Sequence, residues 1–393
     1  MISPTTNTLG SNNIYSRVGD FLFIERWNFI MTIGLKGPGM YIQGEGELDK
    51  LGKYVRKMGN KFLLICSPNN KKRIGDRVRF SLKNSEKTVE YYEFAGECSK
   101  VAIAEAVHLA AANGCDAIIG AGGGKAIDTA KAVGTNMGGI PVIIIPTIAS
   151  NDSPCAGVAV IYNDAGVVVK ALMMYRNPDL VLVDTGIIAA APEKYLVSGM
   201  GDALSTYFEA RACYRSGAKT MARGTCSTTA LTLAKLCYDI LLKHSAKALE
   251  AAKAHIVTSE LEAVVEACVY LSGVGFECGG LAAAHAINDG FALVSQAHKA
   301  SHGQKVAFGL LVQLQLEKAL PEEWNTVLKY IKMVGLPSCL GDLGITDVQE
   351  DDIRNVAKAA CVPTQFTKNV RADITEDEVY NAIMKVNAMG GHT

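Results

Sequence analysis

Three stretches in the second half of the chain carry side chains able to hold a metal ion. They are Asp202 in GMGDALSTYFEA, His285 in GGLAAAHAINDG, and His298 and His302 in QAHKASHGQKVAFG. A mixed set of imidazoles and a carboxylate, with one coordination position left open, is the donor pattern of catalytic zinc. Histidine is also the commonest metal ligand, and one buried among alanines is costly unless partnered. Each residue has a plainer reading as well. His285 fits a core histidine with its own hydrogen bond, and Asp202 fits a cap near a helix start. His298 and His302, four apart, fit one helical ligand pair or neighbours on a solvated face.

Two loops in the first half have the chemistry of a dinucleotide site. In AIIGAGGGKAIDTAKAV an apolar run enters Gly120, Gly122, Gly123 and Gly124, and a helix follows. Glycine permits a sharp turn and close ligand approach, and a helix N-terminus suits a pyrophosphate. Lys125 adds charge, and Asp128, one turn in, could reach a ribose or nicotinamide group. The spacing is not G-x-G-x-x-G, so a standard Rossmann topology is not implied, and an ordinary glycine turn remains the alternative. The second loop, PTIASNDSPCAGVAVIY, follows the apolar run 142–145 and offers Thr147, Ser150 and Asp152 at the carboxyl edge of a sheet. Helix and turn caps are its plainer reading.

The elements that would position these groups fall into two kinds. Strands are expected at 62–66, 89–94, 117–120, 142–145, 158–162, 167–170 and 180–183, with helices at 47–58, 100–113 and 126–135. That alternation means an α/β layered domain with a parallel sheet. Past Pro192 the apolar spacing becomes helical throughout, at 203–214, 219–243, 259–276 and 305–320. The expected division is an N-terminal extension at 1–35, an α/β dinucleotide-binding domain at 36–191 and an all-helical metal-binding domain at 192–393.

Composition narrows the partners. The 393 residues are 49% apolar, with Lys plus Arg equal to Asp plus Glu at 39 each. Neutral balance argues against nucleic acid or an anionic membrane surface and for a small ligand in a cleft. The 11 cysteines, an odd number with no C-x-x-C pair, read as reduced thiols of a cytoplasmic protein. The apolar stretch 21–33 is too short and too charged to span a bilayer. Residues before it read as an extension, with Met31 as an alternative start; a transit peptide is disfavoured because Arg17 is the only basic residue before Arg26.

Taken together, GPGMYIQGEGEL, GAGGGKAIDTAKAV, PTIASNDSPC, GMGDALSTYFEARA, GGLAAAHAINDG and HGQKVAFG resemble the glycerol dehydrogenase branch of the iron-containing alcohol dehydrogenase family, in its order and spacing, from about Gly37 to near the end of the chain. The resemblance implies a dehydroquinate synthase-like superfold with the site in the cleft between its two parts. It assigns one zinc ion per subunit to Asp202, His285 and His302, with His298 a neighbour. It places Gly123, Gly124, Lys125, Asp128, Thr147, Ser150, Ala156, Val158 and Tyr162 along NAD, and gives Asp152 to the substrate. It also implies a homo-oligomer, often an octamer. Iron-type relatives carry a ligand histidine four residues after the aspartate; here Thr206 stands there, which favours the three-ligand zinc arrangement. Three departures stand out. Ser67, followed by Lys71, Lys72 and Arg73, replaces an acidic residue common in NAD-preferring relatives, which weakens the argument for NAD over NADP. Ala156 replaces a hydroxyl residue, and Asn288 a histidine.

The implied reaction is oxidation of glycerol, or a related vicinal diol, at the secondary hydroxyl to dihydroxyacetone. Zinc acts as Lewis acid, a nicotinamide takes the hydride, Asp152 orients the substrate and His298 relays the proton. The competing readings are an iron-dependent alcohol dehydrogenase, a dehydroquinate-synthase-like cyclase, which would need a Lys and Arg cluster for its substrate phosphate, and a non-catalytic nucleotide- or metal-binding protein.

Overall fold

Short runs of Ile, Val and Leu become strands when both of their faces can be buried. The computed structural model describes residues 32–163 and 168–391, with the antiparallel pair Arg17–Val18 and Phe21–Leu22. Most of the expected extension at 1–35 therefore lies outside the described residues. Strands follow as β1 (Tyr41–Gly44), β2 (Lys61–Cys66), β3 (Thr88–Glu93), β4 (Ala117–Gly122), β5 (Val142–Pro146), β6 (Val158–Tyr162), β7 (Val168–Met173) and β8 (Leu180–Asp184). One 6-stranded sheet has the order β1-β8-β5-β4-β2-β3, and every pairing in it is parallel. This is not the standard Rossmann order.

Alternate residues of these strands feed different cores. Leu63, Ile65, Ile118, Ile144, Val181 and Val183 join a large core shared with the helices that follow the sheet. Phe62, Leu64, Ile119, Ile143, Ile145, Leu180 and Leu182 pack on the other side with Leu48, Leu51, Val78 and Leu82. Period-two alternation with both faces covered explains why the runs read as continuously apolar.

Several elements differ from the sequence reading. The apolar runs at 158–162 and 167–170 do not enter the main sheet; β6 and β7 pair antiparallel with each other, and β7 is largely exposed. Val167 itself lies outside the described residues. The expected helix at 47–58 is a 3₁₀ turn, Glu47–Lys50, and a short helix, Leu51–Tyr54. A helix at Pro68–Lys83 and strand β1 had no apolar run strong enough to mark them, although Ser67 as cap and Pro68 at the first position signal the helix start.

Beyond Asp184 no strand longer than an isolated bridge occurs among the described residues. The main helices there are Glu193–Ser216, Thr228–Ala254, Ser259–Glu266 continuing through a π-helical turn Ala267–Leu271 into Ser272–Gly279, Ala283–Phe291 and His302–Leu316. The expected helix at 219–243 begins only at Thr228, capped by Ser227, because 219–225 folds back in a bridge between Lys219 and Thr225. No single helix among the described residues is long and apolar enough to cross a membrane.

The loop after β5 is held by a buried lysine. Lys131 has no solvent exposure. Its Nζ donates to the Ser153 and Val158 carbonyls at 2.5 and 2.8 Å, to Ser153 Oγ at 3.1 Å and to Asp128 Oδ1 at 3.2 Å. Replacing it by methionine strands those acceptors and leaves the Asp128 carboxylate without its counter-ion. Lys131→Met is expected to destabilise the protein by about 3 kcal/mol in urea unfolding; a loss below about 1 kcal/mol contradicts this role.

Candidate active site

The helix Glu193–Ser216 carries Asp202 in its interior, not at its start, so the capping alternative falls away. The helix His302–Leu316 begins at His302, behind a capping box of Ser301 and Gln304. These helices meet at backbone distance. A Cβ on Gly303 would lie 1.7 Å from the Ser198 carbonyl oxygen, and one on Gly201 would lie 2.4 Å from the Gly303 carbonyl oxygen. Only glycine allows this crossing, and it delivers the His302 ring to Asp202. His285 enters from the helix Ala283–Phe291.

One ligand atom from each of Asp202, His285 and His302 lies within 4.8 Å of the others. His302 Nε2 is 3.2 Å and His285 Nε2 is 3.4 Å from the same oxygen, Asp202 Oδ1. That oxygen is buried and has no hydrogen bond. The other oxygen, Oδ2, accepts from the Asp152 backbone N–H at 3.2 Å. The reason lies behind His285. Glu209, fully buried, accepts from the Ala282 and His285 backbone N–H groups at 2.8 and 3.1 Å and sits 2.6 Å from His285 Nδ1. A carboxylate can only accept there, so Nδ1 carries the proton, and with a cation bound the ring would turn its Nε2 lone pair towards that cation. The three ligand atoms therefore face one point, and that arrangement fits a divalent cation. Burial pushes the Asp202 carboxyl upward, but the His302 and His285 imidazoles override it and hold the group well below the usual carboxylate range.

Asp152 completes the polar lining. It is buried, its Oδ2 has no partner, and burial followed by the Asp202 charge raises its pKa well above normal. An orphaned carboxyl oxygen beside the cluster is free to pair with a ligand hydroxyl. The loop bearing it is set by close contacts: the Ala149 carbonyl would meet a Cβ on Gly199 at 2.1 Å, and the Asp152 carbonyl would meet one on Gly273, just after the π-helical turn, at 2.8 Å.

A cavity of about 660 Å³ opens beside the glycine loop, lined by Ser67, Asn70, Glu93, Gly122, Gly123, Gly124 and Lys125 among others. The helix Gly124–Asn136 starts there with no side-chain cap, so its N–H groups are free for an anion. Asn151 and Ile148 of the second loop lie over Gly124 and Gly123, within 2.7 and 2.9 Å of where Cβ atoms would be. Thr147 Oγ1 accepts from Asn70 Nδ2 at 3.3 Å, and the Ser150 carbonyl accepts from Ser198 Oγ at 3.0 Å. Lys125 pairs with Glu97 and lies 5.0 Å from the centre of the Tyr162 ring.

Of the residues expected along the cofactor, Asp128, Thr147, Ser150, Ala156, Val158 and Tyr162 are not among those lining this cavity. Asp128, expected at a ribose or nicotinamide, is buried with its oxygens taken by Lys131 Nζ, Ser153 Oγ at 2.7 Å and Val160 N–H at 3.0 Å; it ties the glycine-loop helix to the second loop. Ala156 is fully buried against Phe276 and Leu281, and the Val158 carbonyl is engaged by Lys131. Neither lines the cavity. His298 is exposed, with Nε2 3.1 Å from the Ala292 carbonyl oxygen, outside the ligand cluster. Thr206 is buried with its hydroxyl 2.8 Å from Ser272 Oγ, so it supplies no fourth ligand. Sequence reading missed the roles of Glu209 and Lys131. Glu209 lies within the quoted GMGDALSTYFEARA segment, but its partner is 76 positions away.

Removing Glu209 tests the argument about His285. Glu209→Ala should weaken metal binding by about 10- to 100-fold, read by chelator competition, although the residue is not a ligand. An affinity within twofold of the parent protein contradicts the tautomer argument.

With the geometry in place, comparison with known proteins gives a consistent result. The family model for iron-containing alcohol dehydrogenase matches residues 38–185. A glycerol dehydrogenase of Pseudomonas putida is 44% identical, over 92% of this chain and 99% of its own. One from Escherichia coli O6:H1 is 46% identical, over 91% and 97% respectively. The crystal structure of glycerol dehydrogenase from Schizosaccharomyces pombe superposes with a TM-score of 0.88 at 33% identity, covering 91% of each chain. Similarity of this extent and identity is shared descent, and the chain belongs to the iron-containing alcohol dehydrogenase family.

Proposed function

We propose that the chain is a zinc- and NAD-dependent dehydrogenase that oxidises the secondary hydroxyl of glycerol, or of a related vicinal diol, giving dihydroxyacetone from glycerol. The observation that carries this reading is the convergence of Asp202, His285 and His302 on one point, one loop away from the glycine-lined cavity. The near-full-length similarity to proteins named glycerol dehydrogenase supports the substrate class.

Three protein ligands leave a fourth tetrahedral position open, which favours zinc at one ion per subunit. When bound, zinc supplies Lewis acidity that eases loss of a hydroxyl proton, and the nicotinamide supplies the hydride acceptor. The chain does the rest. Glu209 fixes the His285 ring, and Asp202 is positioned by the Asp152 backbone N–H. The unpartnered Asp152 Oδ2 accepts a hydrogen bond from the substrate's neighbouring hydroxyl, which orients the C–H to be broken. The second loop lies against Gly123 and Gly124 through Ile148 and Asn151 and would cover the pyrophosphate. A proton relay by His298 requires its ring to leave the Ala292 carbonyl.

The exposed apolar side chains Val168, Val169, Met173 and Tyr175, the last 88% exposed, support a homo-oligomer that covers them, an octamer by family resemblance. The free thiols suit a reducing, cytoplasmic setting.

Metal removal tests the reading. Chelation of the parent protein, or His302→Ala, should lower kcat/KM for glycerol by at least about 10³-fold, and added zinc should restore only the chelated parent. Undiminished glycerol oxidation in the chelated, metal-free protein rules the proposal out.

A further inference from the structure

The direction in which a dinucleotide would lie follows from the sheet order. The loop after β5 reaches the ligand cluster through the Asp152 backbone contact to Asp202, so the reactive ring belongs on that side. The glycine turn after β4 takes the pyrophosphate. β2 is the next strand, paired directly with β4, and β3 lies beyond it. The remaining cavity wall comes from these two strand ends: Ser67, Pro68 and Asn70 after β2, and Glu93 to Gly96 after β3. The adenosine ribose must therefore sit near Ser67.

In dinucleotide sites a carboxylate at this place accepts a hydrogen bond from the ribose 2′-hydroxyl and repels a 2′-phosphate, whereas a nearby arginine accommodates one. Here β2 ends at Cys66, and the next side chain is a hydroxyl, not a carboxylate. It is already used as a helix cap, accepting from the Asn70 N–H at 3.3 Å. The helix it caps, Pro68–Lys83, has no acid in its first turn. Lys71, Lys72 and Arg73 follow on its exposed surface. Arg73 Nη1 lies 3.5 Å from Oδ1 of the cavity-lining Asn70. The helix dipole favours an anion there, and of the three bases Lys71 is held over the Tyr91 ring at 3.8 Å.

We propose that Ser67 leaves the adenosine end of this cavity open to a 2′-phosphate, so that the chain binds NADP as well as NAD. The proposal rests on the dinucleotide reading of the cavity given above. One carboxylate opposes it: Glu93, at the end of β3 and in register with Cys66, is exposed and lines the same cavity. It sits one strand further out than Ser67.

Calorimetric titration of the metal-loaded full chain with NAD and with NADP, before and after Ser67→Asp, decides the matter without an activity assay. Aspartate caps a helix as well as serine does, so the variant keeps its fold. The parent protein should bind the two dinucleotides with Kd values within about tenfold of each other, and Ser67→Asp should weaken NADP by about 10- to 100-fold while leaving NAD unchanged or tighter. Parent protein that binds NAD but binds NADP more than about 100-fold more weakly overturns the proposal and leaves the dinucleotide site standing. Relief of that discrimination by Glu93→Gln would assign it to Glu93 instead of Ser67. Binding of neither dinucleotide overturns both the proposal and the cofactor reading beneath it.

Discussion

Two imidazole nitrogens, His285 Nε2 and His302 Nε2, face a single buried carboxylate oxygen, Asp202 Oδ1. Glu209 enforces this for His285 by claiming the opposite nitrogen, and the backbone crossing at Gly201 and Gly303 enforces proximity for His302. A divalent cation between them would be held by all three groups at once. The helical half of the molecule is arranged to hold that geometry, and the cation-binding chemistry follows from it.

The sheet half serves the same point from the other side. β4 and β5 lie next to each other, and both of their following loops emerge at the carboxyl edge. The first loop supplies a helix N-terminus. The second crosses over it and ends at Asp152, whose backbone N–H grips Asp202. Buried charge locks the loop in place. Lys131 and Asp128 hold it from the glycine-loop helix. Glu277, also buried, accepts from Lys36 Nζ and the Gly157 N–H, both at 3.2 Å, and from Asn177. The run Ser259–Gly279 carries a π-helical turn at Ala267–Leu271, and Gly273 just after it lets the Asp152 carbonyl come close.

Much of this was legible in the sequence because burial on both sheet faces leaves continuous apolar runs, and helical packing leaves its own spacing. The ligand trio had no periodic signature; ordered motifs pointed to it. What sequence could not show was which polar groups are already satisfied inside the protein. Asp128 stands where a cofactor contact is expected, yet Lys131, Ser153 and Val160 already engage both of its oxygens. His298 is close to His302 in sequence, but the 3₁₀ turn Ser295–Lys299 points its Nε2 at a backbone carbonyl. Glu209 and Glu277 act on partners far along the chain, where local spacing carries no information. The run at 158–162 is apolar enough for the main sheet, and only tertiary pairing with β7 places it outside.

The most direct measurement is anomalous diffraction at the zinc absorption edge from crystals of the metal-loaded protein. The account predicts one peak per chain, about 2.0–2.2 Å from Asp202 Oδ1, His285 Nε2 and His302 Nε2. A peak held by other residues, or none at this point in fully loaded protein, would contradict it.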